Sequence, residues 1–264
     1  MTFKLGSTDI NQLYLGSTEI LRAYLGSTEI YDATTPGGST TYSLTGLGTI
    51  SSTDNPVSIA VPAATLDEGD LVLVAISERS GVGTANNNMT TTAGTWTTIL
   101  DHEQNLGDGS SRHSVCVHMH EATAGDESGL TLLGSTGAGG TGRRMSAFVI
   151  KPSATKSWTS DDVADVNSNT SDWNGLSSGS ATASSGDSLI VGFACSRNDG
   201  TNMPTSVTLT QNDSKAEYGN SAANGLCHVM GISTSGQSAG GYSTTVTSNG
   251  SGNEGIAACL VFGG

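Results

Sequence analysis

Apolar and polar residues alternate along most of the chain with the period of a β-strand. In the run VCVHMHEA, Val115, Val117 and Met119 fall on one face, and the second face carries His118 and His120. We expect the apolar face to pack in a core and the second face to meet solvent or a neighbour. No stretch has a convincing helical period. The strands predicted for the first half share this alternation and are bounded by turn residues: Thr41–Leu47, Pro56–Val61, Asp70–Ser77, Thr95–Asp101, Ser114–Ala122, Gly129–Leu133 and Arg144–Ile150.

The N-terminal residues 1–33 contain three copies of a ten-residue unit. The copies read KLGSTDINQL, YLGSTEILRA and YLGSTEIYDA. In each, apolar residues precede Gly-Ser-Thr-acid and an Ile follows it, which predicts strand, tight turn, strand. Such a short unit cannot bury its own apolar side chains, so we expect it to dock on other chains; packing on its own domain is the alternative. The predicted anchor residues are the apolar positions of the copies: Leu5, Ile10, Tyr14, Leu15, Ile20, Tyr24, Leu25 and Ile30.

The remainder of the chain is predicted to be an internal duplication. An offset of 111 pairs Cys116 with Cys227 and aligns the closing strands MSAFVIK and IAACLVF. About seven short strands in each copy predict an all-β fold of two tandem β-sandwich units, immunoglobulin-like or jelly-roll-like. Whether the units are separate domains or one fused sandwich stays open. The predicted organisation is a repeat module at 1–33, a Pro/Gly/Ser/Thr linker at 34–40, a first unit at 41–152 and a second at 153–264.

Composition and charge narrow the range of partners. The formal net charge is −14, with only 10 Lys and Arg, so no basic surface is expected for nucleic acid or an anionic membrane. No secretion signal or membrane-spanning run is recognised, which predicts synthesis in a cytoplasm. Each of the four cysteines lies in an apolar run without metal-ligand spacing and is predicted to be a buried free thiol.

The tandem YLGSTEI units, followed by a β domain rich in Gly, Ser and Thr, resemble N-terminal segments of virion fibre proteins of tailed bacteriophages and gene transfer particles. The strands GDLVLV and AFVI resemble those of a β-sandwich domain that recurs in phage tail proteins. The resemblance implies a location on the exterior of a virion, attachment through the N-terminus to other virion proteins, and a homo-oligomer, with a trimer favoured. Because no long coiled-coil heptad or repetitive shaft is present, we expect a compact knob or spike.

Three functions follow from this resemblance. The first is a host-recognition adhesin of the fibre or spike type, with a host-surface glycan as a possible partner. The second is a decoration protein that braces a capsid or tail lattice. The third and minor one is a depolymerase of surface glycans, which would need two carboxylates held about 5–9.5 Å apart. We expect no enzyme and no cofactor, because the two GxSxG matches, at Gly175 and Gly236, lack the strand-to-helix setting of a nucleophile.

Two further groups of residues are candidate binding sites. Trp158 and Trp173 flank an acidic run and are predicted to form a platform for sugar stacking. Within that run, Asp165, Asn167 and Asn169 repeat the first spacings of a calcium loop but lack its Gly and bidentate Glu, so they are a weak Ca²⁺ candidate beside the alternative of a solvated turn.

Overall fold

The structure is a computed structural model, and it describes residues 4–5, 8–9, 13–15, 18–20, 22–25, 28–32, 40–52, 57–80, 88–89, 94–105, 112–124, 129–135, 140–154, 156–168, 175–197, 204–209, 215–219, 226–248 and 254–263. These residues are almost entirely β-strand, which confirms the predicted all-β class. The chain divides into two compact units, Met1–Ser39 and Thr40–Gly264. The second unit is called the body below.

The N-terminal unit contains three short antiparallel hairpins, one for each sequence repeat. Their strands are β1 (Lys4–Leu5), β2 (Thr8–Asp9), β3 (Leu13–Leu15), β4 (Thr18–Ile20), β5 (Arg22–Leu25) and β6 (Thr28–Asp32). The innermost pairs are Leu5 with Thr8, Leu15 with Thr18, and Leu25 with Thr28, and each pair brackets a Gly-Ser dipeptide in the sequence. Two-residue connections with Gly favour such hairpins. The strands predicted on either side of each Gly-Ser pair are therefore confirmed, and the Gly-Ser residues themselves lie outside the described residues.

The first half of the body forms a five-stranded antiparallel sheet covered by a smaller sheet. The strands are β7 (Tyr42–Ser52), β8 (Val57–Val61), β9 (Leu71–Ser80), β10 (Asn88–Met89), β11 (Thr97–Asn105), β12 (Arg112–Glu121), β13 (Leu130–Ser135) and β14 (Gly140–Pro152), with a 3₁₀ turn at Ala63–Thr65. The large sheet has the order β11-β12-β9-β14-β7, and the small one β10-β13-β8. All seven predicted strands are present, and the two-residue β10 is additional.

The second half of the body also has one five-stranded antiparallel sheet, together with small sheets. Its strands are β15 (Thr159–Ser168), β16 (Ala181–Ala183), β17 (Leu189–Arg197), β18 (Pro204–Leu209), β19 (Lys215–Gly219), β20 (Leu226–Ser233), β21 (Gly240–Tyr242), β22 (Thr244–Ser248) and β23 (Glu254–Gly263). The large sheet has the order β15-β23-β17-β20-β19, and the pairs β16-β21 and β18-β22 form two small sheets. When the strands of the two large sheets are matched by chain order, they occupy the same positions in their sheets. The matching pairs are β7 with β15, β9 with β17, β11 with β19, β12 with β20, and β14 with β23.

The two large sheets share one apolar core. Alternate residues of β9, β12 and β14 meet alternate residues of β17, β20 and β23 in this core, and all of them are buried. The two halves are therefore fused face to face. The sequence alone leaves open whether they are separate domains or one fused structure. The aromatic side chains of the shared core are Tyr42, Phe148, Trp158, Phe193 and Phe262.

The opposite face of each large sheet is covered by the small sheets of its own half. In the first half, Val72, Val74 and Ile76 of β9 pack with Ile59 and Leu130 of the small sheet. In the second half, the residues of the outer face contact strands β16, β18, β21 and β22 in two smaller clusters. The two large sheets of the body therefore pack on each other and lie between small outer sheets. No helix within the described residues is long and apolar enough to cross a membrane.

Two glycines with the same φ angle give a matched test of packing. Gly129 and Gly175 both have φ of +83°, but a Cβ at Gly129 would lie 2.7 Å from the Val61 carbonyl oxygen, whereas at Gly175 nothing lies within 4 Å. We expect Gly175→Ala to cost about 1–2 kcal/mol for the left-handed conformation alone. Gly129→Ala should lower the free energy of unfolding by a further ~1–3 kcal/mol, because the nearby Val61 carbonyl is part of the backbone and cannot move aside as a flexible side chain can. Denaturant unfolding of both variants measures the difference, and equal losses would contradict the close approach.

Candidate functional site

Trp158 lies in the core of the body rather than on its surface. Its side chain is 6% exposed, and its ring packs at 5.9 Å from Tyr42 and edge-on at 6.4 Å from Phe262. The indole N–H donates to the Gly69 carbonyl oxygen at 2.8 Å. Because its faces are taken up by neighbouring rings and its N–H is satisfied, Trp158 does not offer the exposed stacking platform that its acidic neighbours suggested. Trp173 lies outside the described residues.

Trp158 nevertheless borders an open cleft of about 380 Å³. The cleft lies where the end of β12 meets the segment before β11 and the segment before β15. Its buried part is formed by Met119, His120 and Trp158, which are 7%, 4% and 6% exposed. Its other lining residues are Gly94, Thr95, Thr97, Glu121 and Thr123, and all of them except the half-buried Glu121 are exposed. We call this feature the Trp158 cleft.

A close contact between Gly94 and His120 shapes one wall of the Trp158 cleft. Gly94 has φ of +77°, and a Cβ there would lie 2.7 Å from the His120 ring. The ring lies 5.0 Å from that of Trp96, and His120 Nδ1 lies 3.0 Å from the Thr95 carbonyl oxygen. Only glycine combines this backbone conformation with so close an approach. The wall is therefore preorganised by the fold.

Glu121 supplies the negative charge of the Trp158 cleft. Its Oε2 accepts a hydrogen bond of 2.9 Å from the backbone N–H of Trp158, so the carboxylate is held at the junction of the two halves. Among the described residues that line the cleft, none is Lys or Arg. The cleft thus combines hydroxyls, one carboxylate and a small apolar floor.

The second face of β12 is buried, although we expected it to meet solvent or a neighbour. Cys116, His118 and His120 are each 3–4% exposed. Residues of β11 and the segment before it cover them: Thr98 Oγ1 lies 3.0 Å from His118 Nδ1, and the Cys116 thiol donates to Asp101 at 3.1 Å. The two histidines therefore have structural partners, as their position on a sheet suggests.

A group of polar side chains lies buried between the two large sheets. The His228 ring bridges two serines, with Nε2 2.7 Å from Ser77 Oγ and Nδ1 2.9 Å from Ser146 Oγ. The Cys195 thiol lies 3.2 Å from His113 Nε2. Each of these contacts joins one half of the body to the other. We call these five residues, together with the fully buried Arg144, the interface cluster.

The interface cluster has the residue types of a nucleophilic site but not the conditions for one. Burial lowers the pKa of His228 well below its ordinary value, and the charge of Arg144 lowers it further. Burial also raises the pKa of the Cys195 thiol far above its usual range, so the nucleophilic thiolate is disfavoured. All members are 0–1% exposed, which leaves a substrate no access. The cluster therefore acts as a hydrogen-bonded link between the sheets.

All four cysteines are free and buried, as predicted. Burial raises the pKa values of Cys227 and Cys259 to about 11 each, although Arg144 opposes the shift at Cys227 and a hydrogen bond with Thr244 opposes it at Cys259. These thiols are neutral at physiological pH and behave as small apolar residues.

The calcium candidate lies on a strand rather than in a loop. Asp165 and Asn167 belong to β15, where they pair with Ala258 and Ile256 of β23. The Asp165 carboxylate forms an ion pair with His102 Nδ1 when that ring is protonated. Asn169 lies outside the described residues. Among the side chains that the structure describes, no three His, Cys, Asp or Glu residues are grouped to hold a metal ion.

Asp187 fixes the start of the body. Its carboxylate accepts hydrogen bonds from the Thr40 N–H at 2.8 Å and the Thr40 hydroxyl at 2.5 Å, and it lies 3.2 Å from the Lys156 ammonium. Burial opposes ionisation of Asp187, but these contacts outweigh it and hold the carboxyl pKa below its ordinary value. Lys156 also donates to the Tyr42 hydroxyl at 3.0 Å. Thr40, the first residue of the body, is therefore held firmly by Asp187.

The predicted anchor residues fall on the hairpin strands of the N-terminal unit. Leu5, Tyr14, Leu15, Ile20, Tyr24, Leu25 and Ile30 belong to β1 and β3–β6, whereas Ile10 lies outside the described residues.

No protein-family model, no curated protein and no solved structure matches the chain.

Proposed function

We propose that the chain is a host-recognition adhesin of a tailed-bacteriophage virion, of the fibre or spike type. In this proposal the N-terminal hairpins attach the chain to other virion proteins, and the body is displayed on the exterior of the particle. The observation that carries the proposal is the division of the chain into a unit of three repeated hairpins and a separate, much larger β body.

The hairpins suit attachment better than independent folding. The strands of each hairpin are two to five residues long, and an isolated two-stranded hairpin is marginally stable at best. Burial of the apolar positions of the repeats against a partner would supply the missing stabilisation. A homotrimer, the assembly favoured by the resemblance to fibre proteins, is part of this proposal.

The body suits display rather than catalysis. Its central core joins both halves, its thiols are buried, and its buried histidines are held in hydrogen bonds. At the first GxSxG match, the Ser177 hydroxyl contacts the Ser178 carbonyl oxygen and the Thr245 hydroxyl. Neither of these described partners is a base that could activate a serine nucleophile. We therefore propose a binding function for the body.

Removal of residues 1–39 tests the attachment step. We expect the chain that begins at Thr40 to remain folded, because the body has its own core and Asp187 still holds Thr40. We also expect it to be absent from virus particles, since the anchor is gone. Expression of both chains in the producing cells, followed by density-gradient purification of particles and immunoblotting, gives the readout.

Two controls make this result interpretable. Far-UV circular dichroism and a thermal melt of the shortened chain establish that it is folded. A full-length chain with Thr208→Ala, an exposed position on β18, should enter particles normally. If the folded, shortened chain enters particles as efficiently as the full chain, attachment through the hairpins is wrong.

A further inference from the structure

We infer that the Trp158 cleft binds an uncharged saccharide unit, a neutral hexose or N-acetylhexosamine. This inference rests on the proposed adhesin function and assigns its ligand class to one place on the body. In place of an exposed tryptophan platform, it assigns the sugar to a cleft that the mostly buried Trp158 helps to line.

The size and shape of the Trp158 cleft suit one small ligand. Its volume of about 380 Å³ lies near the lower end of the roughly 300–1,000 Å³ range of small-molecule sites. Its wall is fixed by the contact of Gly94 with His120, so little ordering of the protein is needed on binding.

The polar groups of the Trp158 cleft match the hydroxyls of a sugar. Thr95 and Thr97 each bring a hydroxyl that both donates and accepts hydrogen bonds. The Glu121 carboxylate has several lone-pair sites, of which the Trp158 amide uses one, and a charged acceptor binds hydroxyl donors more strongly than a neutral one. Met119 and Trp158 provide a small apolar floor for the C–H groups of a sugar ring.

The negative charge of the Trp158 cleft favours neutral over acidic saccharides. The described lining residues include a carboxylate and no Lys or Arg, and the whole chain has a formal net charge of −14. The Lys156 ammonium lies 5.7 Å from the Trp158 ring but is already paired with Asp187. An acidic sugar would bring a second negative charge to Glu121, which disfavours binding. A neutral sugar has no such penalty.

Saturation-transfer NMR of the full-length chain tests the inference with defined probes. The probes are glucose, galactose, mannose, N-acetylglucosamine and N-acetylgalactosamine, with N-acetylneuraminic acid as the anionic comparison. We expect saturation transfer to at least one neutral sugar and none to the acidic one. No transfer to any neutral sugar, or equal transfer to the acidic sugar, would overturn the inference.

Three variants locate the binding. Thr97→Trp fills the cleft and should abolish saturation transfer, whereas Thr208→Trp places the same side chain at an exposed threonine of β18 outside the cleft and should leave it unchanged. Glu121→Gln keeps the shape but removes the charge and should weaken binding about tenfold. Circular dichroism checks that each variant is folded.

The outcomes separate this inference from the proposed function. If Thr97→Trp binds the sugar as well as the wild-type chain does, the Trp158 cleft is not the site, even where the chain is an adhesin. If the chain binds a neutral sugar through the cleft but is absent from virus particles, the saccharide site stands and the virion assignment fails.

Discussion

Replacement of Phe148 or Phe193 with alanine is expected to destabilise the entire body, by about 3–5 kcal/mol for either residue. Phe148 lies on β14 in the first half and Phe193 on β17 in the second, and they are 1% and 0% exposed. Both belong to the core that the two large sheets share. Loss of either ring leaves a cavity against side chains of both halves, so the two halves should lose stability together.

Guanidinium unfolding followed by far-UV circular dichroism and by tryptophan fluorescence measures this effect. Coincident single transitions are expected for the wild-type chain and for both variants, with lower midpoints in the variants. Leu176→Ala is the control, because Leu176 is only partly buried against an outer cluster and should cost less. Two separate transitions, of which Phe148→Ala moves only one, would show that the halves unfold independently.

Acidification below pH 6.5 is expected to destabilise the body through His228. Burial, the charge of Arg144 and the nearby His113 lower the pKa of His228 well below its ordinary value of 6.5. The folded chain therefore keeps His228 neutral where the unfolded chain takes up a proton. The contribution of neutral His228 to the free energy of unfolding is fully present above about pH 6.5. It is lost as the pH is lowered, by up to about 1.4 kcal/mol per pH unit from this one residue.

His228→Gln isolates that contribution. An amide can still hydrogen-bond to Ser77 and Ser146 but does not take up a proton in this range. Between pH 7 and pH 5, the free energy of unfolding should fall more steeply for the wild-type chain than for the variant. Below pH 5 the carboxyls also titrate, and Asp187, whose pKa is lowered in the fold, adds its own loss there. Parallel pH profiles of the two chains would contradict the role given to His228.

The strands of the body could be predicted because their residues obey a local rule. Alternation with period two marks β9, β12 and β14, whose faces pack on the central core and on the outer sheet. β15 was missed because its acidic residues resemble a loop. It lies at the edge of its sheet, where charged side chains are tolerated and only one neighbouring strand, β23, pairs with it.

The interface cluster could not be predicted from local pattern. Ser77 lies on the same face of β9 as Leu73 and Ala75. The only feature of the sequence that pointed to the cluster was this polar residue on an otherwise apolar face. Its partner His228 lies 151 residues away on the opposite sheet. Trp158 was misplaced for a similar reason, because the rings that bury it, Tyr42 and Phe262, come from distant parts of the chain.

Gold-antibody labelling of intact virus particles tests the proposed function most directly. An antibody raised against the full chain is applied to particles purified from the producing cells, and the label is located by negative-stain electron microscopy. We expect label on projecting fibres or at the tail tip, where an adhesin meets its host. Label spread evenly over the head would show that the adhesin proposal is wrong and would favour a decoration protein.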